Sequence, residues 1–315
     1  MTLLDCDIDP GIYPDMSMED YHSSGGVSST LIRKCSPTLA HGLAYLDEDD
    51  EDEGFNMGTA VHTAVLEPDI FDRVYDNRPP EEAQGLHHTY RKTARLLGSG
   101  MTVPQVAEER ETKVSTIKGH IEKPGVQKLR VWYMHNDPDE IVEASVEKID
   151  DVKRARDAVF RHPVAADMLE DGRPEVSYFW EDESGLTCRC RPDLVTAKRD
   201  LVDIKTYLSA EEREFQRQIG RLGYQIQGAL YLDGVHRAGG PRCDYFFFIV
   251  VDLSLATTDI EENACKIYRL GPDSIGRGRD VCRRRLDELG RWHRGEERNA
   301  GYSTEIETIE APEWA

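Results

Sequence analysis

The fold is decided by the stretch Leu186-Thr-Cys-Arg-Cys-Arg191-Pro192-Asp193 and, after a short turn, Leu201-Val-Asp-Ile-Lys-Thr-Tyr207. Both segments have the apolar and β-branched composition of strands, and Pro192 ends regular pairing just before Asp193. Side chains alternate along a strand, so Asp203 and Lys205 share one face and Ile204 lies on the other. The sequence therefore predicts two carboxylates and a lysine brought together on neighbouring strands.

These residue types suit metal-dependent cleavage of a phosphodiester. Mg²⁺ prefers hard oxygen ligands, and Asp193 and Asp203 supply carboxylates while the Ile204 carbonyl is a further candidate. Lys205 is predicted to orient the attacking water or to stabilise developing negative charge. Glu175, at the start of a strand predicted over residues 175–180, is expected to join the site. Mn²⁺ is expected to substitute for Mg²⁺.

The alternative is a pair of strands with solvated charges. Residues 201–207 otherwise have the composition of a buried central strand, however, and a buried charge needs a partner or a metal ion. We therefore interpret this stretch as a catalytic metal site.

Two upstream segments offer further ligands. Ser28 and Ser29 open a predicted helix that also carries Lys34, and this helix start is either an ordinary N-cap or a phosphate-binding site. A second helix predicted over 55–66 places His62 one turn after Gly58, where it is either a metal ligand or a core histidine. Arg191, on the polar face of its strand, is a further candidate for binding phosphate.

Downstream, a helix predicted over 224–231 carries Gln227 and Tyr231 on one face, where an amide and a phenol could contact phosphate, water or a base. A later helix predicted over 273–294 contains Arg283-Arg-Arg285, a candidate basic patch for DNA.

Residues 99–123 form a separate motif. Apolar residues at helical spacing on both sides of a short turn predict a helix-turn-helix, which either contacts DNA or packs as an insert on the rest of the chain. We expect four segments: an N-terminal helical part over 1–98, this insert over 99–123, a core over 124–295 and an acidic tail over 296–315. Residues 124–140 are predicted to be a linker or an extended loop.

Composition sets limits on these interpretations. The chain has 315 residues, 39% of them hydrophobic, with no signal peptide or apolar run that would span a membrane, so we expect a cytoplasmic protein. A formal net charge of −21 argues against nucleic-acid binding in general, although an acidic run over 47–53 supplies part of it and arginine outnumbers lysine 28 to 11. Seven scattered cysteines with no CxxC pair favour buried thiols over a zinc or iron–sulfur site.

The motifs together resemble the PD-(D/E)xK nuclease superfamily. Pro192-Asp193 and Asp203-Ile204-Lys205 match its core motif, Gln227-Gly-Ala-Leu-Tyr231 is similar to the QxxxY motif of the RecB-like branch, and Met57–Pro68 resembles the histidine motif of that branch. Ser28-Ser-Thr-Leu and the 175–180 strand look most like RecE-type phage exonucleases. The resemblance implies an α/β (α+β) restriction-endonuclease-like fold, with a central mixed β-sheet flanked by helices.

The resemblance also implies a function. It predicts a Mg²⁺-dependent exonuclease acting on linear double-stranded DNA ends from 5′ to 3′, with His62 as a metal ligand and Gln227 and Tyr231 in the active site. It implies a homo-oligomeric ring (trimer or tetramer), a RecT-like single-strand annealing partner, and a phage or prophage origin in a bacterial or archaeal host. The alternatives are a RecB- or Cas4-like nuclease of other polarity or substrate, and a non-catalytic DNA-binding or assembly module.

Overall fold

The computed structural model describes residues 4–46, 55–76, 81–83, 85–135, 145–258, 263–296, 300–306 and 308–310. The chain divides into two compact units, the first comprising Met1–Asp52 and Arg154–Ala315 and the second Glu53–Lys153. The predicted acidic run 47–53 lies outside the described residues. The four predicted segments divide the chain at other positions and stay a prediction.

Most of the helices come before the strands of the main sheet in the sequence. The strands are β1 (Gly11–Tyr13), β2 (Arg173–Pro174), β3 (Ser177–Glu181), β4 (Thr187–Cys190), β5 (Leu194–Val195), β6 (Leu201–Tyr207), β7 (Phe246–Asp252) and β8 (Cys265–Arg269). The helices are α1 (Met18–Ser23), α2 (Ser29–Lys34), α3 (Leu39–Leu46), α4 (Met57–Leu66), α5 (Pro68–Val74), α6 (His88–Gly98), α7 (Val103–Glu109), α8 (Val114–Ile121), α9 (Pro124–His135), α10 (Val146–Arg161), α11 (Pro163–Leu169), α12 (Glu212–Leu222), α13 (Tyr224–Arg237), α14 (Leu253–Ala256) and α15 (Pro272–His293). A 3₁₀ turn covers Glu81–Ala83.

The first unit is built on a mixed sheet in the order β2-β5-β6-β7-β8. β6 and β7 run parallel and pair over their whole length, while the other neighbours are antiparallel. β6 is central and apolar apart from its functional candidates, since Leu201 and Val202 are fully buried. A second sheet has the order β1-β3-β4. The predicted α/β class, a central mixed sheet flanked by helices, is confirmed.

α13 and α15 pack closely beside this sheet. Gly278 of α15 faces the carbonyl of Gln225 on α13, and a Cβ at this position would collide with that carbonyl. Ile275 and Leu286 of α15 are buried in the same core as Phe246 of β7. This contact fixes α13, which carries two of the predicted site residues, against the sheet.

The second unit contains a helical segment, α6 to α9. Leu97 of α6, Val106 and Ala107 of α7 and Ile117 of α8 form one small core. Ala94 of α6 packs with residues of α9 in another. The two helices predicted around a turn in 99–123 are confirmed as α7 and α8.

Two predicted boundaries are wrong. Residues 124–135 form α9 and not a linker, because Pro124 suits the first turn of a helix and Val126 and Leu129 are buried against the neighbouring helix. The strand predicted from residue 175 begins at Ser177, because Glu175 has φ of 54° and cannot continue regular pairing. Among the described residues, no helix combines the length and the apolar character needed to cross a lipid bilayer.

Candidate metal centre

The site begins where β5 and β6 separate. Their pairing covers only Leu194 with Val202 and Val195 with Leu201, and the next backbone donor on β6 is the Ile204 N–H. That N–H donates to Oδ2 of Asp193 at 2.6 Å. The Asp193 carboxylate therefore accepts the hydrogen bond that a backbone carbonyl of a neighbouring strand would otherwise accept. Because the N–H and C=O of one residue leave a strand on the same side, the Ile204 carbonyl faces this edge as well.

Asp203 is the buried carboxylate of the site, with 1% of its surface exposed. Its Oδ1 accepts a hydrogen bond from Nε2 of Gln227 at 2.6 Å, and its Oδ2 lies 2.6 Å from Nζ of Lys205. The hydrogen bond to Oδ1 and the ion pair at Oδ2 together hold the carboxylate in one orientation. The shared face predicted for Asp203 and Lys205 is thus seen directly in their contact.

Lys205 is held as a cation at the rim of the site. Burial alone would lower its pKa, but the carboxylates of Asp203 and Asp193 outweigh burial and raise the pKa above the ordinary lysine value. Its ammonium lies 4.9 Å from the centroid of the Tyr224 ring. The Tyr224 hydroxyl in turn is hydrogen-bonded to that of Tyr207, the next residue on the same face of β6.

Glu175 reaches the site from a strained backbone position. Its φ of 54° lies in the left-handed region, which is costly for a residue with a Cβ. Its Oε2 accepts a 2.7 Å bond from Nε of Arg191, and both side chains are less than 10% exposed. The Glu175 N–H donates to the Asp193 carbonyl at 3.1 Å, and ligand oxygens of the two carboxylates lie within 4.8 Å.

The Arg191 guanidinium makes several hydrogen bonds within the protein. Besides Glu175, its guanidinium donates to the Met16 carbonyl at 2.8 Å and to the Ser177 hydroxyl at 3.0 Å. The structure therefore places Arg191 as a buried support for Glu175. Its predicted phosphate contact stays a prediction, and its Nε and Nη1 groups already have protein partners.

Tyr231 lies on the face of α13 that also carries Gln227. It accepts or donates a hydrogen bond with the Ser29 hydroxyl, and burial raises its pKa well above the ordinary tyrosine value. The phenol is therefore neutral at physiological pH. Ser29 itself is 5% exposed, so its hydroxyl faces protein and not solvent.

The start of α2 has the geometry of an ordinary cap. The Ser28 hydroxyl accepts a 3.3 Å bond from the Leu31 N–H, as a helix N-cap does. Lys34, at the other end of this six-residue helix, lies over the Tyr45 ring at 4.8 Å. The phosphate-binding role predicted for these residues stays a prediction.

His62 lies on α4 in the second compact unit, where it is half-buried. Its predicted role as a metal ligand also stays a prediction. The arginine run 283–285 is engaged within the first unit: Arg283 pairs with Asp182 and Asp287, and Arg285 pairs with Glu288. Acidic neighbours therefore reduce the charge that this run offers to DNA.

The donor set fits a divalent cation that prefers oxygen. Glu175 and Asp193 bring carboxylate oxygens within 4.8 Å of each other, Asp203 lies on the adjoining strand β6, and the Ile204 carbonyl faces the same edge as Asp193. Arg191 and Lys205 are cations that contact Glu175 and Asp203, respectively. Packing this much negative charge together is costly unless a cation balances it.

One supporting residue and one supporting contact escape prediction from sequence. Tyr207 continues the alternation of Asp203 and Lys205 along β6, and this period of two could have revealed it. The support of Glu175 by Arg191 joins residues sixteen apart through a hairpin, and no local pattern indicates that contact.

Comparisons with known proteins place the chain in a family. No curated protein matches it. A crystal structure of a proposed exonuclease from Eubacterium rectale is similar at 12% sequence identity and a TM-score of 0.48, covering 95% of this chain and 96% of that one. The family model described as "PDDEXK-like domain of unknown function (DUF3799)" matches residues 28–312. The predicted resemblance to the PD-(D/E)xK superfamily is thereby confirmed at the level of the family, and the chain belongs to this family of PDDEXK-like domains.

Proposed function

We propose that the protein is a divalent-metal-dependent nuclease that hydrolyses phosphodiester bonds at the edge of β6. The observation that carries this proposal is the arrangement of Asp203, held by Gln227 and Lys205, beside Asp193 on the Ile204 N–H. Membership in a PDDEXK-like family supports it.

Each residue has a role in the proposed reaction. Asp193, Asp203 and Glu175 hold the cation with the Ile204 carbonyl, and a bound Mg²⁺ or Mn²⁺ would activate water and screen charge on the phosphate. Gln227 fixes the orientation of Asp203. The protonated Lys205 donates a hydrogen bond to the attacking water or to a phosphate oxygen as negative charge develops. Tyr231, neutral at pH 7, offers a phenol on the same face of α13.

The substrate we propose is linear duplex DNA, degraded from its 5′ ends to leave single strands for recombination. This choice follows the RecE-like motifs of the sequence, as do a trimeric or tetrameric ring, a RecT-like annealing partner and a phage origin. Strand-specific end labels would test the polarity, and light scattering would test the oligomer. His62 is proposed as a further ligand, to be tested by metal affinity of His62→Ala.

The central test is digestion of end-labelled linear duplex DNA, beside a circular duplex, in Mg²⁺ and in Mn²⁺. We expect wild type to release nucleotides from linear DNA only. Asp203→Asn and Lys205→Met should lower the rate by at least about a hundredfold, because the first removes a charge that would hold the cation and the second removes a positive charge at the reacting phosphate.

Matched controls come from an exposed pair of the same chemistry, Asp167 and Lys198, whose charged atoms lie 2.6 Å apart. Asp167→Asn and Lys198→Met should leave the rate within about twofold, since surface ion pairs contribute little. A wild-type protein inactive in both metals would refute the nuclease proposal. Equal cutting of circular DNA would refute only the exonuclease part.

A further inference from the structure

The helical segment 87–135 has a charge opposite to that of the chain. It holds nine lysines and arginines against four acidic residues, while the chain as a whole carries −21. The remaining residues therefore carry −26 between them. A net charge of about +5 favours binding of a polyanion to this segment.

Inside the segment, α6, α7 and α8 form a three-helix unit. The connection from α7 to α8 turns at Glu111, whose φ of 48° lies in the region that glycine favours, and the Thr112 N–H donates to the Ala107 carbonyl at 2.9 Å. Ile117 is fully buried against α7 and α6. This order of helices and this tight turn are typical of a helix-turn-helix.

One side of α8 is anchored and the other faces solvent. On the anchored side, Nδ1 of His120 lies 2.9 Å from the Thr93 hydroxyl of α6, and the His120 ring contacts Tyr90. The exposed side carries no acidic residue, because the segment's glutamates lie on α7 and in the turns. Its residues are Lys113, Val114, Ser115, Thr116, Lys118 and Gly119.

The chemistry of this exposed side matches a duplex groove. Val114 leaves 40% of an apolar side chain in solvent, and the described residues include no partner for the ammonium of Lys113 or Lys118. Hydroxyls and methyl groups of this size contact base edges in the major groove, which admits a helix, while lysines contact the flanking phosphates.

We propose that α8 binds duplex DNA in the major groove, with Lys113 and Lys118 on phosphates and Val114, Ser115 and Thr116 at base edges. This surface contains none of the residues of the metal centre and needs no divalent cation. It offers an acidic protein a DNA contact on a segment whose own net charge is positive. Binding can therefore be measured in EDTA, independently of the proposed nuclease activity.

The first experiment uses Gly119, where an added Cβ would meet nothing within 4 Å. Gly119→Glu and Gly119→Gln should both fold, since either replaces a helical glycine in open space. Fluorescence anisotropy with a labelled duplex in EDTA should show at least about tenfold weaker binding by Gly119→Glu, while Gly119→Gln stays within about threefold of wild type. Only the glutamate places a negative charge in the groove.

The second experiment measures the salt dependence of duplex affinity. Lys113→Gln combined with Lys118→Gln should lower the slope of log K against log salt by about two, close to one per lost phosphate contact. The control combines Lys198→Gln with Lys266→Gln, which removes the same charge from exposed positions outside the segment, and its slope should stay near that of wild type.

These results decide the proposal. It is overturned if wild type does not bind duplex in EDTA, if Gly119→Glu binds as well as Gly119→Gln, or if the two lysine pairs reduce the slope equally. It is also overturned if a single strand of the same length binds as tightly as the duplex. A protein that fails here and still degrades DNA in Mg²⁺ would leave the nuclease proposal intact.

Discussion

At the scale of single residues, Lys205 depends on neighbours that hold it beside Asp203. The Tyr224 ring lies 4.9 Å from its ammonium, and the Tyr207 hydroxyl bonds to that of Tyr224. A cation over an aromatic face is stabilised by about 0.5–2 kcal/mol depending on solvent exposure, and Lys205 is 21% exposed. Tyr224 is therefore a positioning residue in the proposed reaction.

Replacing the Tyr224 ring should slow the proposed reaction without weakening substrate binding. We expect Tyr224→Leu to lower kcat by roughly tenfold, since about 1.4 kcal/mol corresponds to a factor of ten. Tyr224→Phe keeps the ring and should lose about threefold or less. Steady-state kinetics of both variants measures this, with Tyr245→Leu, at an exposed tyrosine of the same unit, as the control. Equal rates for the Leu and Phe variants would contradict the positioning role.

At the scale of elements, the β3–β4 hairpin is attached to two helices through one buried carboxylate. Asp182 accepts bonds from Arg237 of α13 at 2.8 Å and from Arg283 of α15 at 2.9 Å, and its Oδ1 also accepts the Ser184 N–H. Burial would raise the pKa of Asp182, but Arg283 and Ser184 outweigh it and lower that pKa below the ordinary value.

Asp182→Asn should lower the free energy of unfolding by about 1.5–3 kcal/mol at pH 7, since it weakens charged hydrogen bonds to a buried group. Folding lowers the pKa of Asp182, so its carboxylate stabilises the folded state fully at a pH above the unfolded-state pKa of about 3.9. This stabilisation is lost as the pH falls through the lower pKa of the folded state. The difference between wild type and variant should shrink below about pH 4. Urea unfolding at pH 7 and pH 3.5 measures the difference in free energy of unfolding between wild type and variant. A difference that does not depend on pH would contradict the proposed role of the Asp182 charge.

At the scale of the whole molecule, metal binding at the proposed site would couple to folding stability. A cation that binds only the folded state stabilises it, by about 2.7 kcal/mol at a hundred times its Kd. The Asp203→Asn variant removes one ligand charge and should lose most of this effect. Both proteins would be compared with and without the metal, because the substitution also changes stability by itself.

Adding Mn²⁺ should therefore raise the Tm of wild type by a few degrees and that of Asp203→Asn by much less. Calorimetric melting in EDTA and in Mn²⁺ measures the shift, and Asp167→Asn, at an exposed carboxylate, should shift as wild type does. Equal shifts in all three proteins would contradict metal binding at Asp203.

The charge of the whole molecule is distributed unevenly along the chain. The net value of −21 argued against DNA binding when it was taken as a single number. The structure divides the chain into two units and places a segment with an excess of five positive charges on helices α6 to α9 of the second. Net charge is thus a weak guide where basic residues are collected in one segment.

The sequence by itself determined the central strand and the pair of residues on its face. Alternation along 201–207 is a local property of a strand, so Asp203 and Lys205 were predictable as neighbours, and the family follows from motifs in their order. Helices α7, α8 and α13 were likewise predictable from apolar spacing.

Only the tertiary structure decided which residues support these groups. The bond from Gln227 to Asp203 and that from Arg191 to Glu175 join separate elements, and the left-handed backbone of Glu175 is imposed by the chain around it. Local periodicity carries no information on such contacts, because they depend on how the sheet and helices pack. For the same reason packing, and not composition, made 124–135 a helix and left one side of α8 exposed.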